Sequence, residues 1–224
     1  MVMTQANWHT WHDAYDDPDS WQSRRLVTVR ERIRTALDEA PPGPLTVLAM
    51  VAGQGRDVIP EVAAHPRRDD VTARLVELNP ENTDAARAAV RAAGLSNVEV
   101  VTGDAAFTGH YAGLAPADLL LICGLFVHIS DEDVLRVVRH VPALVKRGGR
   151  VIWTRDLGEP NLVPEICDWF ADEGFEKVFE TGPEFTHAVF EHRSLRGSVP
   201  LPAATTLFTF VGIRKLRPWA YPST

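Results

Sequence analysis

The sequence has little cysteine and no long apolar run, and each shortage excludes a class of protein. Its 2 cysteines are too few for the disulfide framework of a small secreted domain. No apolar run approaches the roughly 20 residues that a membrane-spanning helix needs. The start of the chain is polar and rich in tryptophan, unlike a signal peptide. We therefore expect a cytoplasmic protein with no membrane partner.

Positive charge is also in short supply. The 23 Lys and Arg residues face 30 Asp and Glu residues, which gives a formal net charge of −7. Such an acidic chain lacks the basic face that non-specific nucleic-acid binding requires, so we predict no nucleic-acid partner. No cysteine and histidine residues have zinc spacing, so we predict no metal site. The sequence does not determine the oligomeric state, and a homo-oligomer is one of the open alternatives.

The order of apolar runs and breaks predicts an alternating α/β domain after an N-terminal lead. Residues 1–22 are aromatic and acidic, residues 23–40 have helical spacing, and prolines 41, 42 and 44 break that helix. Strands that alternate with helices imply a mostly parallel sheet covered on both faces. Strands are expected at Leu45–Val51, Val71–Leu78, Val98–Val101, Asp118–Cys123, Arg150–Thr154 and Glu176–Glu180, and strand-like segments without a helix between them at His187–His192 and Thr206–Ile213.

A turn with two glycines follows the first strand. Small residues there let a ligand approach the backbone, and the next helix begins with its N-terminus at the same edge. The candidate binding residues of this segment are Ala52, Gly53, Gly55 and Asp57.

Two further carboxylates end the second and third strands. Glu77 comes 22 residues after Gly55, the spacing of an acid that holds ribose hydroxyls. Asp104 is placed to accept a hydrogen bond from an exocyclic amine such as that of adenine. A nicotinamide-dependent oxidoreductase is one alternative, although Val58 stands where its fingerprint has a third glycine.

These landmarks resemble the class I S-adenosylmethionine-dependent methyltransferases, and more narrowly a group of small actinobacterial members. The resemblance implies a Rossmann-like, seven-stranded, mostly parallel sheet with helices on both faces, an antiparallel C-terminal strand and an N-terminal helical lid. It implies a lid over residues 1–44, a binding domain over residues 45–224, and S-adenosyl-L-methionine as the cofactor. The implied cofactor contacts are Gly53, Gly55, Glu77 with its neighbour Leu78, Asp104 with Ala105, and Cys123 with Gly124.

The chain departs from the family at Ala49 and Val51, where an acid and a glycine are usual. A cofactor-binding protein without transfer activity is therefore a second alternative. Tyr15 of the lead is a further candidate contact of the cofactor, and Arg25 is a candidate partner of the cofactor carboxylate.

The predicted reaction is transfer of a methyl group to carbon, nitrogen or oxygen of a small molecule. A histidine can take a proton near neutral pH, and His128 is the first candidate base, with His12 as its rival. The acceptor is expected to be aromatic or heterocyclic and to belong to specialised metabolism. The residues expected to contact it are Trp8, Trp11, Phe126 and Trp153.

Overall fold

The computed structural model describes residues 14–182 and 185–216. Seven strands form one sheet: β1 Leu45–Met50, β2 Val71–Glu77, β3 Val98–Thr102, β4 Ala117–Ile122, β5 Val145–Asp156, β6 Phe175–Glu180 and β7 His187–Ser194. The helices are α1 Trp21–Glu39, α2 Val58–Ala64, α3 Pro80–Ala92, α4 Asp131–Leu144, α5 Val163–Asp172 and α6 Ile213–Leu216.

The strand order is β3-β2-β1-β4-β5-β7-β6. Neighbouring strands from β3 to β5 are parallel, while β7 runs antiparallel to both β5 and β6. Because β1 and β4 lie side by side in the middle, the chain leaves β1 towards one edge and returns through β4 towards the other. Ligands of open α/β sheets bind at the carboxyl ends of the strands at such a switch point. The predicted fold is confirmed.

Alternate residues of the central strands bury their side chains on opposite faces of the sheet. Val47 and Ala49 pack in one core cluster with side chains of α1, α2 and α3. Leu48 and Met50 pack in the other cluster with side chains of α4 and α5. This alternation follows from the two-residue period of a strand, and it explains why the predicted strands are nearly continuous apolar runs.

Helix α1 is part of the domain and not a separate cover. Ser20 caps its start by accepting a hydrogen bond from Ser23 N at 3.0 Å, as N-cap serines do. Val29 and Ile33 are buried in the same cluster as β1. The division into a lid over residues 1–44 and a binding domain over residues 45–224 stays a prediction, and residues 1–13 lie outside the described part of the chain.

The prediction of a strand over residues 206–213 is wrong. Thr206 makes only an isolated bridge with Phe107. Further on, the amides of Val211 and Gly212 both donate to the carbonyl of His128. Both edges of β7 are occupied, by β5 and β6, and the backbone of this segment bonds instead to the loops that carry Ala106 and His128. Within the described residues, none of the helices combines the length and the apolar character needed to cross a bilayer.

Candidate cofactor and acceptor site

The turn after β1 has a left-handed backbone at three residues. Val51, Gly53 and Gly55 have φ of 46°, 55° and 67°. A Cβ on Gly55 would lie 2.5 Å from Ile59 Cδ1 and 2.8 Å from Leu75 Cδ2. Gly55 is thus required by the packing of the turn against the domain. Val51 keeps the left-handed conformation although a β-branched side chain disfavours it.

Glu77 is held at the end of β2 by two backbone amides. Gly53 N donates to its Oε2 at 2.9 Å, and Asn79 N donates to its Oε1 at 2.9 Å. The carboxylate therefore ties the turn after β1 to the end of β2. Each carboxylate oxygen has two lone-pair positions, so both can accept a second hydrogen bond from a ligand.

An acid and apolar surface follow Glu77 along the edge of the sheet. Asp104 is exposed after β3, and its Oδ1 accepts a hydrogen bond from Ala106 N at 2.9 Å. Leu78 is 63% exposed and Phe107 is 39% exposed, unusually high for large apolar side chains of this domain, whereas Ala105 is buried. An apolar surface beside an acceptor oxygen suits a planar base that carries an amine.

A buried arginine lies near the turn that follows β1. Arg25 of α1 is 8% exposed, and its Nη2 donates to the Tyr15 hydroxyl at 2.9 Å. Asp57 accepts a hydrogen bond from Val58 N at 2.8 Å, and burial raises the pKa of its carboxyl, which the positive charge of Arg25 partly offsets. The site thus holds one positive and one negative group close together.

The loop after β4 faces the same region. Gly124 N donates to Thr154 Oγ1 of β5 at 2.9 Å, and a Cβ on Gly124 would meet open space. The side chain of Cys123 interacts with the charges of Asp57 and Arg25, and burial raises the pKa of its thiol. The structure therefore brings Cys123 of this loop close to the predicted cofactor residues Arg25 and Asp57.

His128 lies at the same edge, stacked on Phe210 with ring centroids 5.1 Å apart. Burial, together with the positive charge of Arg25, lowers its pKa to about 4, although the negative charge of Asp156 opposes this shift. At neutral pH the ring is uncharged and can accept a proton.

The expectation that Phe126 and Trp153 contact the substrate does not fit the packing. Both side chains are fully buried in the cluster beneath α4 and α5. Trp153 stacks on Phe190 at 4.2 Å, and its Nε1 donates to Nδ1 of His192 at 3.1 Å. These side chains fill the core because they point inward from the strand and loop that carry them. Trp8, Trp11 and His12 lie outside the described residues, and their roles stay predictions.

The sequence did not single out Asp156 and His187, which the sheet brings to this edge. They are opposite residues at the end of β5 and the start of β7. The sequence signal was limited to a charged residue ending one strand and a histidine beginning another, 31 positions apart.

Solved structures of methyltransferases match the fold of this protein over most of the chain. Magnesium protoporphyrin IX methyltransferase from Synechocystis PCC 6803, solved with bound SAM, has a TM-score of 0.64 at 16% identity, over 86% of this chain and 92% of that one. An O-methyltransferase family protein from Burkholderia thailandensis has a TM-score of 0.58 at 18% identity, over 81% of this chain and 61% of that one. This chain has the methyltransferase fold.

Similarity in sequence is more limited. A curated relative, tRNA (guanine(37)-N(1))-methyltransferase 1 from Phaeodactylum tricornutum, is 37% identical over 62 residues, 28% of this chain and 14% of that protein. No family model matches the chain. The methyltransferase fold is therefore established by structure, while the narrower resemblance to small actinobacterial members stays a prediction.

Proposed function

We propose that the protein is an S-adenosyl-L-methionine-dependent methyltransferase that acts on a small molecule. The observation that carries the proposal is the anchored carboxylate of Glu77, which bonds to amides of the turn after β1 and of the residue that caps α3. An acid at the end of β2, beside the switch point and with lone pairs available, is suited to the two hydroxyls of a ribose.

The residues beside Glu77 fit the two ends of this cofactor. On the adenine side, Leu78 offers an apolar surface and Asp104 an acceptor for the exocyclic amine. On the amino acid side, the guanidinium of Arg25 suits the carboxylate, and Asp57 suits the ammonium group. Asp57 would thereby replace the acid that the family usually carries at the position of Ala49.

When bound, the cofactor supplies a methyl group that its positively charged sulfur already activates. The task of the chain is to hold the acceptor in line with that methyl group and to keep water away. A base is needed when the attacking atom carries a proton. His128 is the residue we assign to this step, because it lies on the loop after β4 and its ring interacts with Arg25 and Asp156 at the same edge of the sheet.

We assign a small aromatic or heterocyclic acceptor of specialised metabolism. Aromatic rings lie beside the assigned residues, since Phe210 stacks on His128 and the rings of Trp21 and Tyr15 contact Arg25. A chain with a net charge of −7 offers little attraction to a polyanion. The tRNA substrate named for the curated relative belongs to a protein of which this chain matches 14%. Methylation of a tRNA by this protein would contradict the proposed acceptor class.

The sheet disfavours the nicotinamide-dependent alternative. The dinucleotide fold has the order 3-2-1-4-5-6, whereas here an antiparallel strand, β7, is inserted between β5 and β6. Asp104 also has no counterpart in the fingerprint of that fold.

Calorimetry with S-adenosylhomocysteine and NADH tests the proposal. We expect the wild type to bind the first and not the second. Glu77→Gln should weaken S-adenosylhomocysteine binding at least roughly tenfold, because it replaces charge-assisted hydrogen bonds of about 1.5–3 kcal/mol each. The matched control is Glu99→Gln on β3, whose carboxylate pairs with Arg74 away from the site, and it should bind like the wild type.

Mass spectrometry of small-molecule and tRNA pools incubated with the protein and S-adenosylmethionine tests transfer itself. A small molecule heavier by one methyl group is the expected product. Binding of the cofactor without any methylated product would instead support a cofactor-binding protein that does not catalyse transfer.

A further inference from the structure

The structure brings a second histidine to the acceptor side of the site. His187 begins β7, and its ring stacks on Trp21 at the start of α1, with centroids 3.5 Å apart and planes inclined by 14°. Its strand partner is Asp156, the last residue of β5. The guanidinium of Arg25 lies 5.1 Å from the centre of the Trp21 ring.

We propose that the stacked pair of Trp21 and His187 forms one wall of the acceptor site, and that the His187 ring accepts a hydrogen bond from an O–H or N–H group on an aromatic acceptor. The inference rests on the proposed function and names a residue that selects the substrate. His128, stacked on Phe210, forms a second wall of the same kind.

The two histidine rings share one electrostatic environment. Both interact with the positive charge of Arg25 and the negative charge of Asp156. Burial lowers the pKa of each to about 4, so both rings are neutral at neutral pH.

The hydrogen bonding of His187 leaves one ring nitrogen for a ligand. Thr186 Oγ1 lies 3.1 Å from Nδ1. When Nδ1 donates to this hydroxyl, Nε2 presents a lone pair and no proton. An aromatic O–H or N–H is a good donor to that lone pair, and its ring can lie against the aromatic wall.

The test uses wild-type protein saturated with S-adenosylhomocysteine and carrying isotope-labelled histidine. Phenol and indole are the aromatic probes, and cyclohexanol is the matched control because it has a hydroxyl but no aromatic ring. We expect phenol or indole to shift the ring resonances of His187 and His128 by NMR, and cyclohexanol to shift neither. Single substitutions assign the resonances.

The variant His187→Phe keeps a ring against Trp21 but removes the acceptor nitrogen. It should weaken phenol binding about threefold or more, as expected for one lost hydrogen bond, while S-adenosylhomocysteine affinity stays within about twofold. His140→Phe is the control, because this partly exposed histidine of α4 bonds to its own helix, at Arg136 O, and the variant should leave phenol binding unchanged. If His187→Phe does not fold, the NMR shifts of the wild-type histidine rings on addition of phenol, indole and cyclohexanol are sufficient to test the proposal.

Three results would overturn the inference: ring shifts confined to other histidines, equal responses to cyclohexanol and phenol, or unchanged phenol binding by folded His187→Phe. Failure of the wild type to bind S-adenosylhomocysteine would instead contradict the proposed function. The two failures are therefore distinguishable in one series of titrations.

Discussion

Glu191 of β7 is fully buried beneath α1 and pairs with Arg32 of that helix, whose Nε lies 2.6 Å from its Oε2. Its other carboxylate oxygen pairs with Arg150 of β5, which also pairs with Glu39 at the end of α1. One buried carboxylate thus fixes α1 on the two strands beneath it. Because α1 carries Arg25, this ion network also positions the site.

We expect Glu191→Gln to lower the free energy of unfolding by about 3–5 kcal/mol, since it leaves buried arginine charge without its partner. Urea denaturation followed by circular dichroism measures the change. The control is Glu176→Gln on β6, because Glu176 pairs with Arg193 at the partly exposed edge of the sheet. That pair should contribute less than about 1 kcal/mol, and equal small losses in both variants would contradict the buried network.

The protein should lose stability as the pH falls below the ordinary histidine range. Burial lowers the pKa of His128 and His187 to about 4 and that of His192 to about 3, from a usual 6.5. The unfolded chain therefore binds protons that the folded protein does not, and the free energy of unfolding falls as the pH drops from 6.5 towards 4. Thermal melts across this interval measure the slope.

His192→Phe isolates the contribution of the core histidine to this slope. His192 is buried and stacks on Phe170 at 4.6 Å, so a phenyl ring suits the same position. The variant should start from a lower stability, because Trp153 Nε1 loses its acceptor, but should lose less stability on acidification. His140→Gln on the surface should keep the wild-type slope. A variant slope as steep as the wild type would show that His192 is not an acid-sensitive group.

Asp104→Ala should reduce the preference for adenine. S-inosylhomocysteine lacks the exocyclic amine, so we expect the wild type to bind it more weakly than S-adenosylhomocysteine. The variant should bind S-adenosylhomocysteine about tenfold more weakly than the wild type does, since one amine contact is lost. Its affinities for S-adenosylhomocysteine and for the inosyl analogue should therefore be almost equal. Asp84→Ala, an exposed acid of α3, is the control for lost negative charge. A variant that loses affinity for both ligands equally would contradict adenine recognition by Asp104.

The sequence was sufficient to predict those strands whose own run of apolar residues shows that they are buried. Leu45–Met50 and Ala117–Ile122 are mostly apolar on both faces, as central strands are, and the acid Glu77 ends β2 beside the switch point. Sequence could not show which face of its strand Trp153 occupies, nor that β6 would exclude residues 206–213 from the sheet. Those outcomes depend on pairing between distant strands, which local periodicity does not encode.

The same limit applies to the acceptor side of the site. His187 and Asp156 become neighbours only because β7 returns antiparallel to β5 in one particular register. A shift of that register by one residue would turn the His187 side chain to the opposite face of the sheet. The residues predicted for the cofactor side follow parallel strands at one edge of the sheet, so their common location can be predicted from the sequence.

The titration of Asp57 tests its assignment to the ammonium group of the cofactor. Burial raises the pKa of this carboxyl, and an ammonium group binds its ionised form. Affinity of the wild type for S-adenosylhomocysteine should therefore fall as the pH decreases through that raised pKa. Asp57→Asn should bind more weakly at neutral pH and lose most of this pH dependence, because an amide does not titrate. Calorimetry across the neutral and acidic range measures both effects.

Methylthioadenosine provides the matched control, because it keeps the nucleoside and lacks the amino acid part. Its binding should depend on Glu77 but should respond little to Asp57→Asn or to acidification. Asp57 also caps α2, and asparagine is an equally good capping residue, so the variant should stay folded. If methylthioadenosine and S-adenosylhomocysteine lost affinity equally in Asp57→Asn, the carboxylate would be supporting the turn after β1, and the ammonium group would have to bind elsewhere.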